Sequence, residues 1–414
     1  MRVLVTTLGR GHFIQVADSL RRNGVDADLT QGWVVNDPEH NIFVRMAAKI
    51  IGRKSLIWGF ARRTTPALDG HNFGDFFAEF VQTCFMLFFS RVWKNKNKWH
   101  WGVKTGFWLH GLTMSRLIRN GDYQIAHVKS GLGRFAIAEA KRRGVKVLVD
   151  HSAGAPQFVV ETVDHEIWDD HHSFWWTVMQ DCNDADILMV DCDWVRETFL
   201  MYGYPAEKIR VVYMGLDQKF NGLRDWADET MDGLGTPEKP LRIVFSGPFQ
   251  PHKGNEVFLE SISRLAKTKL CFDVDVIGTA TISEEIRNRC SLAMNKIRFH
   301  GHVPQDEMCE LMKSAHVYLF PSRSEGCAKS AFEAMSMGLC VVCTKETGLP
   351  LKDGFDGHLI LKDDAASIVA KIEYLVRNPA LIKATGMNAT ETLKKYTWDS
   401  YAENVKKVYA ELLG

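Results

Sequence analysis

Short apolar runs alternate along this chain with longer stretches whose apolar positions recur every three or four residues. "RVLVTTL" precedes "FIQVADSLRRNG", "YQIAHV" precedes "FAIAEAKRRG", and "KVLVDHS", "ADILMVDCD" and "IRVVYMG" follow, with a helical "VRETFLMYG" between the last two. Runs of four to six β-branched and apolar residues, separated by glycine-terminated helices, predict parallel strands buried on both faces. The span Gln218–Pro240 is rich in Gly, Asp and Pro, has no lasting period, and reads as a linker. Beyond it the alternation restarts: "LRIVFSG", a helix from about Asn255, "FDVDVIG", "IRFHGHV", a helix near Asp306–Ala315, "VYLFPS", another helix and "CVVCT". The pattern therefore predicts an α/β protein with two Rossmann-like doubly wound domains. They are expected to face each other across a cleft at their strand ends, the usual ligand position in such sheets. The expected boundaries are 1–219 for the first domain, 220–240 for the linker and 241–395 for the second domain. A closing helix, 396–414, is expected to cross back to the first.

The length of 414 residues suits two domains, and 46% hydrophobic with 24% charged residues is a globular balance. The net charge of +1 hides an uneven distribution. Between His40 and Asn120 thirteen Lys and Arg face only Asp69, Asp75 and Glu79. No uncharged apolar run reaches about 18 residues, so no spanning helix is expected. "MRVLVTTLGRGHF" reads as a strand and glycine turn rather than a secretory signal. The nine cysteines lack a framework spacing. Cys340 and Cys343 fall within an apolar strand and read as a buried thiol pair, which fits a reducing cytosol.

"FPSRSEGCAKSAFEAMSMGLCVV" (320–342) sets Glu325 in a loop and Glu333 inside the helix that follows. The free N–H groups at such a helix start favour an anion. Two carboxylates beside a diphosphate would repel it unless they accept hydrogen bonds from hydroxyls on the same ligand. A nucleotide sugar, with a central diphosphate between hydroxyl-rich rings, meets both demands. The plainer reading is an acid that stabilises the helix N-terminus and a solvated Glu. Against it stands "FSGPFQPHKGN", at the end of the first strand of the same domain. Its Gly247 and Gly254 permit a tight backbone there, and Lys253 brings a point charge for phosphate.

Together these stretches resemble the retaining nucleotide-sugar glycosyltransferases of glycosyltransferase family four, which have the GT-B fold. The block from Glu325 to Glu333 resembles that family's E-x7-E signature, and "FSGPFQPHKG" its phosphate loop. "KIRVVYMGLD" (208–217) resembles the end of the family's first domain, and "DYQIAHV" the segment with its active-site histidine, at His127. The resemblance implies that Glu325 contacts donor-sugar hydroxyls and Glu333 the ribose. It implies that Lys253 holds the diphosphate, and that the N–H groups of Cys327, Ala328 and Lys329, beside Gly326, face sugar and phosphates. Gly9 and Gly11 would close over the donor, and Val303 would meet the base. The implied catalytic residues are His127, Lys253 and Glu325, with no metal and no cofactor beyond the donor. Two positions depart from the pattern: Pro248 stands where many relatives carry an Arg, and Cys327 replaces a large apolar residue.

The expected activity is transfer of a sugar from a nucleotide-diphosphate sugar to a hydroxyl of a glycan, glycolipid or lipid-linked saccharide, with retention. A nucleotide-sugar epimerase would release nucleotide without an acceptor, and a noncatalytic scaffold would bind donor without turnover. His151, after the next strand, is a second histidine candidate. Asp170–His172 reads as a solvated turn without a metal ligand set. The triplets Asp191/Asp193 and Asp273/Asp275 are similar to the metal motifs of glycosyltransferases of another fold, but we read them as a helix cap and as strand residues. Residues 76–108 crowd Phe, Trp and Lys together. They admit two readings: an anionic membrane surface contacted by Trp93, Trp99, Trp101, Trp108, Lys94, Lys96 and Lys98, or a buried helix pair with a basic loop. Nucleic acid is not an expected partner. The expected location is cytoplasmic, peripheral on the inner face of a membrane.

Overall fold

The computed structural model describes residues 1–8, 12–35, 63–88, 99–164, 174–216 and 230–414, with single positions between. Seven parallel strands form the first sheet: β1 (Arg2–Thr6), β2 (Asp26–Gln31), β3 (Asn72–Gly74), β4 (Ile125–Lys129), β5 (Lys146–His151), β6 (Ile187–Val190) and β7 (Ile209–Val211). Six form the second: β8 (Leu241–Ser246), β9 (Phe272–Ile277), β10 (Ile297–Gly301), β11 (Val317–Phe320), β12 (Cys340–Thr344) and β13 (His358–Ile360). The first runs β3-β2-β1-β4-β5-β6-β7 and the second β10-β9-β8-β11-β12-β13. Each order reverses once, between β1 and β4 and between β8 and β11. Helices cannot cover both strand ends at such a point, so a crevice opens there. These are two Rossmann-like domains.

The helices of eight residues or more among the described residues are α1 (Phe13–Arg22), α2 (Phe76–Leu87), α3 (Trp99–Asn120), α4 (Arg134–Arg142), α5 (Phe174–Asp184) and α6 (Asp193–Met201) in the first half. The second half has α7 (Asn255–Leu265), α8 (Gln305–Lys313), α9 (Lys329–Ser336), α10 (Ala365–Arg377), α11 (Ala380–Leu393) and α12 (Trp398–Leu413). The inner strands are buried almost throughout, as their apolar runs require, whereas the edge strands β3 and β10 are largely half-buried or exposed. Cys340 and Cys343 are both buried in β12 as free thiols.

The chain passes between the domains twice, side by side. Leu216 donates its N–H to the Tyr396 carbonyl at 2.9 Å and bridges to Thr397. A Cβ on Gly215 would lie 2.5 Å from the Trp398 nitrogen, so only glycine lets the two passages touch. After Trp398 the capping box of Thr397 and Ser400 starts α12. That helix packs Tyr401, Val405 and Tyr409 against Phe13, Ile14 and Ala17 of α1. Burying each such ring stabilises by roughly 1.5–3 kcal/mol.

Candidate active site

At the reversal of the second sheet, β8 ends in Ser246 and Gly247, whose φ of 133° favours glycine. The Ser246 carbonyl accepts from the hydroxyls of Tyr318 and Ser330 at 3.0 and 2.8 Å, which ties the strand end to the first turn of α9. The loop then makes a single turn, Pro251–Lys253, closed by Gly254 at φ 72°. A Cβ at Gly254 would lie 1.9 Å from the Pro321 carbonyl, so glycine alone lets this turn rest on the end of β11.

The turn delivers Lys253 to Glu325. Its Nζ lies 2.6 Å from Glu325 Oε1 and 5.2 Å from the centre of the Phe320 ring. Ser322 Oγ donates to the same carboxylate oxygen at 3.0 Å. Each side chain of the ion pair is 15% exposed. Glu333, on α9, points back so that its carboxylate lies 3.9 Å from the ammonium of Lys329, one helical turn earlier. Lys253, Glu325, Lys329, Glu333 and Gly247 thus gather around one helix tip.

The tip's N–H groups are not all available. Ala328 donates to the Thr347 carbonyl at 3.0 Å and Glu325 to that of Glu346 at 2.9 Å. The expected ligand-facing role of the Ala328 N–H is therefore corrected, because the neighbouring loop consumes it. Lys329 and Ser330 supply the first amides inside the helix, which a helix leaves without an intrahelical acceptor. Val303 follows β10, two strands from β8, and is half-buried. That places it about 10 Å across the sheet from Gly247, by the usual strand spacing.

The first domain meets this tip directly. A Cβ on Gly326 would sit 2.3 Å from the Ser152 carbonyl, and the Gly326 carbonyl accepts from the Cys192 thiol. Burial raises the Cys327 thiol well above its usual range, with Cys192 beside it. Beneath lies a polar cluster at the reversal of the first sheet. His127 is fully buried, its Nδ1 2.6 Å from the Tyr409 hydroxyl and its Nε2 3.1 Å from Asp150 Oδ2. The expectation that His127 faces the cleft is corrected: both ring nitrogens are engaged in the interior. His151 is likewise buried, between Ser130 Oγ at 2.8 Å and the Gly154 carbonyl at 3.0 Å.

The groups nearer the cleft are His12, Lys129, Asp150 and Asp191. Burial pulls the His12 imidazole down to about 4, with Lys129, His127 and Lys329 adding to the effect and Asp150 opposing it. Lys329 belongs to the second domain, so His12 stands between the two. Burial also lowers Lys129, which Asp150 counteracts from the adjacent register position on β5. Burial raises Asp191 well above the carboxylate range, and the charge of Asp150 adds to it. Alternation along β4 puts Lys129 on the same face as His127, a signal present in the sequence. His12 carries no signal in the sequence beyond its place just after the Gly9–Gly11 loop. Gly9, Gly11, Asp170–His172 and Trp93–Lys98 lie outside the described residues.

The two triplets part ways. Asp193 begins α6 and accepts from the Tyr213 hydroxyl at 3.0 Å, whereas Asp191 turns into the interior. Asp275 on β9 is bound by Arg298 at 2.9 and 3.1 Å and by His300 at 2.7 Å, both on the edge strand β10, an ion-pair arrangement between neighbouring strands.

Residues 88–220 match the family model "Glycosyltransferase Family 4", and residues 240–378 match "Glycosyl transferases group 1". The chain belongs to glycosyltransferase family four. An uncharacterized glycosyltransferase of Methanocaldococcus jannaschii is 31% identical over 167 residues, 40% of this chain and 46% of the relative. The phosphatidyl-myo-inositol mannosyltransferase of Mycobacterium leprae is 28% identical over 166 residues, 39% of this chain and 43% of the relative. The chain thus spans less than half the length of these curated relatives. Among solved structures, the Anabaena HepE protein in complex with UDP and glucose superposes with a TM-score of 0.63 at 12% identity, over 99% of this chain and 100% of that one. This family-four chain accordingly has the GT-B fold.

Proposed function

We propose that this family-four protein is a retaining glycosyltransferase that moves a sugar from a nucleotide-diphosphate sugar to a hydroxyl of a glycan or lipid-linked acceptor. The observation that carries the reading is the grouping of Lys253, Glu325, Glu333 and the α9 tip at the reversal of the second sheet, against the first domain. A departing diphosphate needs positive charge where its negative charge develops. Lys253 and the Lys329 and Ser330 amides supply it. In the free protein Lys253 is held by Glu325, so donor binding exchanges partners: the ammonium turns to phosphate and the carboxylate to sugar hydroxyls. Glu333 accepts from the ribose. The departing phosphate oxygen takes the acceptor proton on the same face of the sugar, which retains configuration without a protein nucleophile. His127, engaged by Tyr409 and Asp150, acts as a positioning residue. That HepE was solved with UDP and glucose supports a nucleotide-sugar donor on this fold.

The test is donor binding by Glu333→Ala, measured by calorimetry with a panel of nucleotide sugars. Loss of a hydrogen bond to a charged group costs about 1.5–3 kcal/mol, roughly a 10- to 150-fold weaker Kd. Unchanged affinity in a folded variant would overturn the assignment.

A lipid-linked acceptor is favoured by α2. Phe76 and Phe77 are 63% and 64% exposed, and Phe80 is exposed beside them. Trp33 stacks on Phe76 at 5.3 Å and Phe76 on Phe80 at 5.9 Å, while Glu79 turns inward to pair with Arg63 at 2.5 Å. Among the described residues no helix is long and apolar enough to cross a membrane. An exposed aromatic face followed in sequence by Arg91, Lys94, Lys96 and Lys98 suits an anionic headgroup layer. Cosedimentation with vesicles of phosphatidylcholine and phosphatidylglycerol should fall at least severalfold in Phe76→Ser/Phe77→Ser. Equal sedimentation of both proteins would remove this part of the reading.

A further inference from the structure

We infer that His12, Asp150 and Asp191 form a site for one divalent cation at the floor of the cleft. One ligand atom from each lies within 4.8 Å of the other two. Asp150 and Asp191 are 1% and 3% exposed, so two carboxylates lie side by side in the interior. Among the described residues, Asp150 Oδ1 and His12 Nε2 are buried and have no hydrogen-bond partner. The Tyr401 hydroxyl, close enough to feel both acids, is likewise buried with no partner among the described residues. An uncompensated buried carboxylate is costly, and so is an orphaned buried polar atom. Lys129 faces Asp150 across the strand register. The ligand atoms of His12, Asp150 and Asp191 approach one another where a cation would offset the two buried acids.

The surroundings match those of a ligand set. Asp150 keeps its second oxygen on His127, and His127 is fixed by Tyr409. Ser152 hydrogen-bonds Asp191. Such outer partners orient metal-bound carboxylates. One imidazole and two carboxylates suit Zn²⁺ or Mn²⁺, with bonds of about 2.0–2.2 Å, so small rotamer changes close the set. Another mixed cluster, Asp26, Asp28 and His71, is different in kind. Asp28 is consumed by Arg2, His71 and Tyr123, and Asp26 by Arg2 and Arg21. The sequence pattern alone predicts no metal here and reads Asp191 as part of a helix cap. A cation here would add positive charge to the first-domain wall.

The test needs no donor, so its outcome is separate from that of the transferase reading. Protein stripped with chelator is titrated with Zn²⁺ and with Mn²⁺ by calorimetry. One equivalent of at least one ion is expected to bind, with affinity reduced at least a hundredfold in Asp191→Asn and in His12→Gln. His127→Gln should cost 10- to 100-fold, the scale for an outer partner, and Asp26→Asn should change nothing. As a measurement that needs no variant, Co²⁺ added to the stripped wild-type protein should give visible absorption bands of a nitrogen- and oxygen-ligated site. Failure of the stripped protein to take up any of these ions, or full binding retained in either Asp191→Asn or His12→Gln, would overturn the inference.

Discussion

The pairing of Lys253 with Glu325 makes a prediction in which two ligands move in opposite directions. Glu325→Gln keeps the shape of the side chain and an oxygen for Ser322, but removes the charge that holds the Lys253 ammonium at 2.6 Å. Exposed ion pairs contribute about 0–1 kcal/mol, and breaking fully buried ones costs about 3–5. With 15% of each side chain exposed, this pair falls between those limits, at about 1–2 kcal/mol net by the same scale. A nucleoside diphosphate must displace Glu325 to reach Lys253, so freeing the lysine should tighten its binding by roughly 5- to 30-fold. A nucleotide sugar gains the same amount but loses a charge-assisted bond from a sugar hydroxyl, about 1.5–3 kcal/mol. The ratio of nucleotide-sugar to nucleoside-diphosphate affinity should therefore fall by about 10- to 150-fold, whatever the gain at the lysine. Calorimetric titration of both proteins with UDP, GDP and their glucose and mannose conjugates measures that ratio. If the variant weakens diphosphate and sugar conjugate by the same factor, the two side chains do not exchange partners on binding and the proposed division of roles fails.

Two further expectations concern the seam and the core. Gly326→Ala puts a methyl group 2.3 Å from the Ser152 carbonyl. Backbone on both sides cannot yield, so the domains should part, with a larger radius of gyration by small-angle scattering and a loss of about 1–3 kcal/mol, the scale of overpacking; an unchanged scattering curve would show that the domains do not close on this contact. His358 is buried, which pulls its imidazole from 6.5 to about 4, with Lys371 adding and Asp353 opposing. Because the folded-state value lies below the unfolded one, this contribution is whole above pH 6.5 and is lost as pH falls toward 4, by up to about 2–3 kcal/mol. His358→Leu should flatten the fall in urea midpoint between pH 7 and 4, and an identical slope in both proteins would refute the attribution.

The sequence by itself determined the architecture and one wall of the site. Apolar runs short enough for strands, spaced by glycine-ended helices, impose parallel sheets because nothing else buries both faces of "VLVT" or "VYLF". The order of glycine, lysine and acid in "GPFQPHKG" and "SEGCAKSAFE" points to Lys253, Glu325 and Glu333 together, because Lys253 and Glu325 lie in the loops after adjacent strands and Glu333 lies on the helix that follows the second. Local spacing carries such information, since a strand end and the helix after it have fixed geometry.

Only the tertiary structure decided which polar groups are spent and which are left over. Nothing near Ala328 in the chain says that Thr347 takes its N–H, and nothing near His127 says that Tyr409, 282 residues away, fills its Nδ1. Strand alternation marks Lys129 and Asp150, but it says nothing of how deeply each is buried. His12 caps the helix after β1, Asp150 lies near the end of β5 and Asp191 follows β6, and they are neighbours only because the sheet order puts β1, β4, β5 and β6 side by side. Burial raises the cost of an unpaired charge, and burial is a property of the assembled fold rather than of any segment.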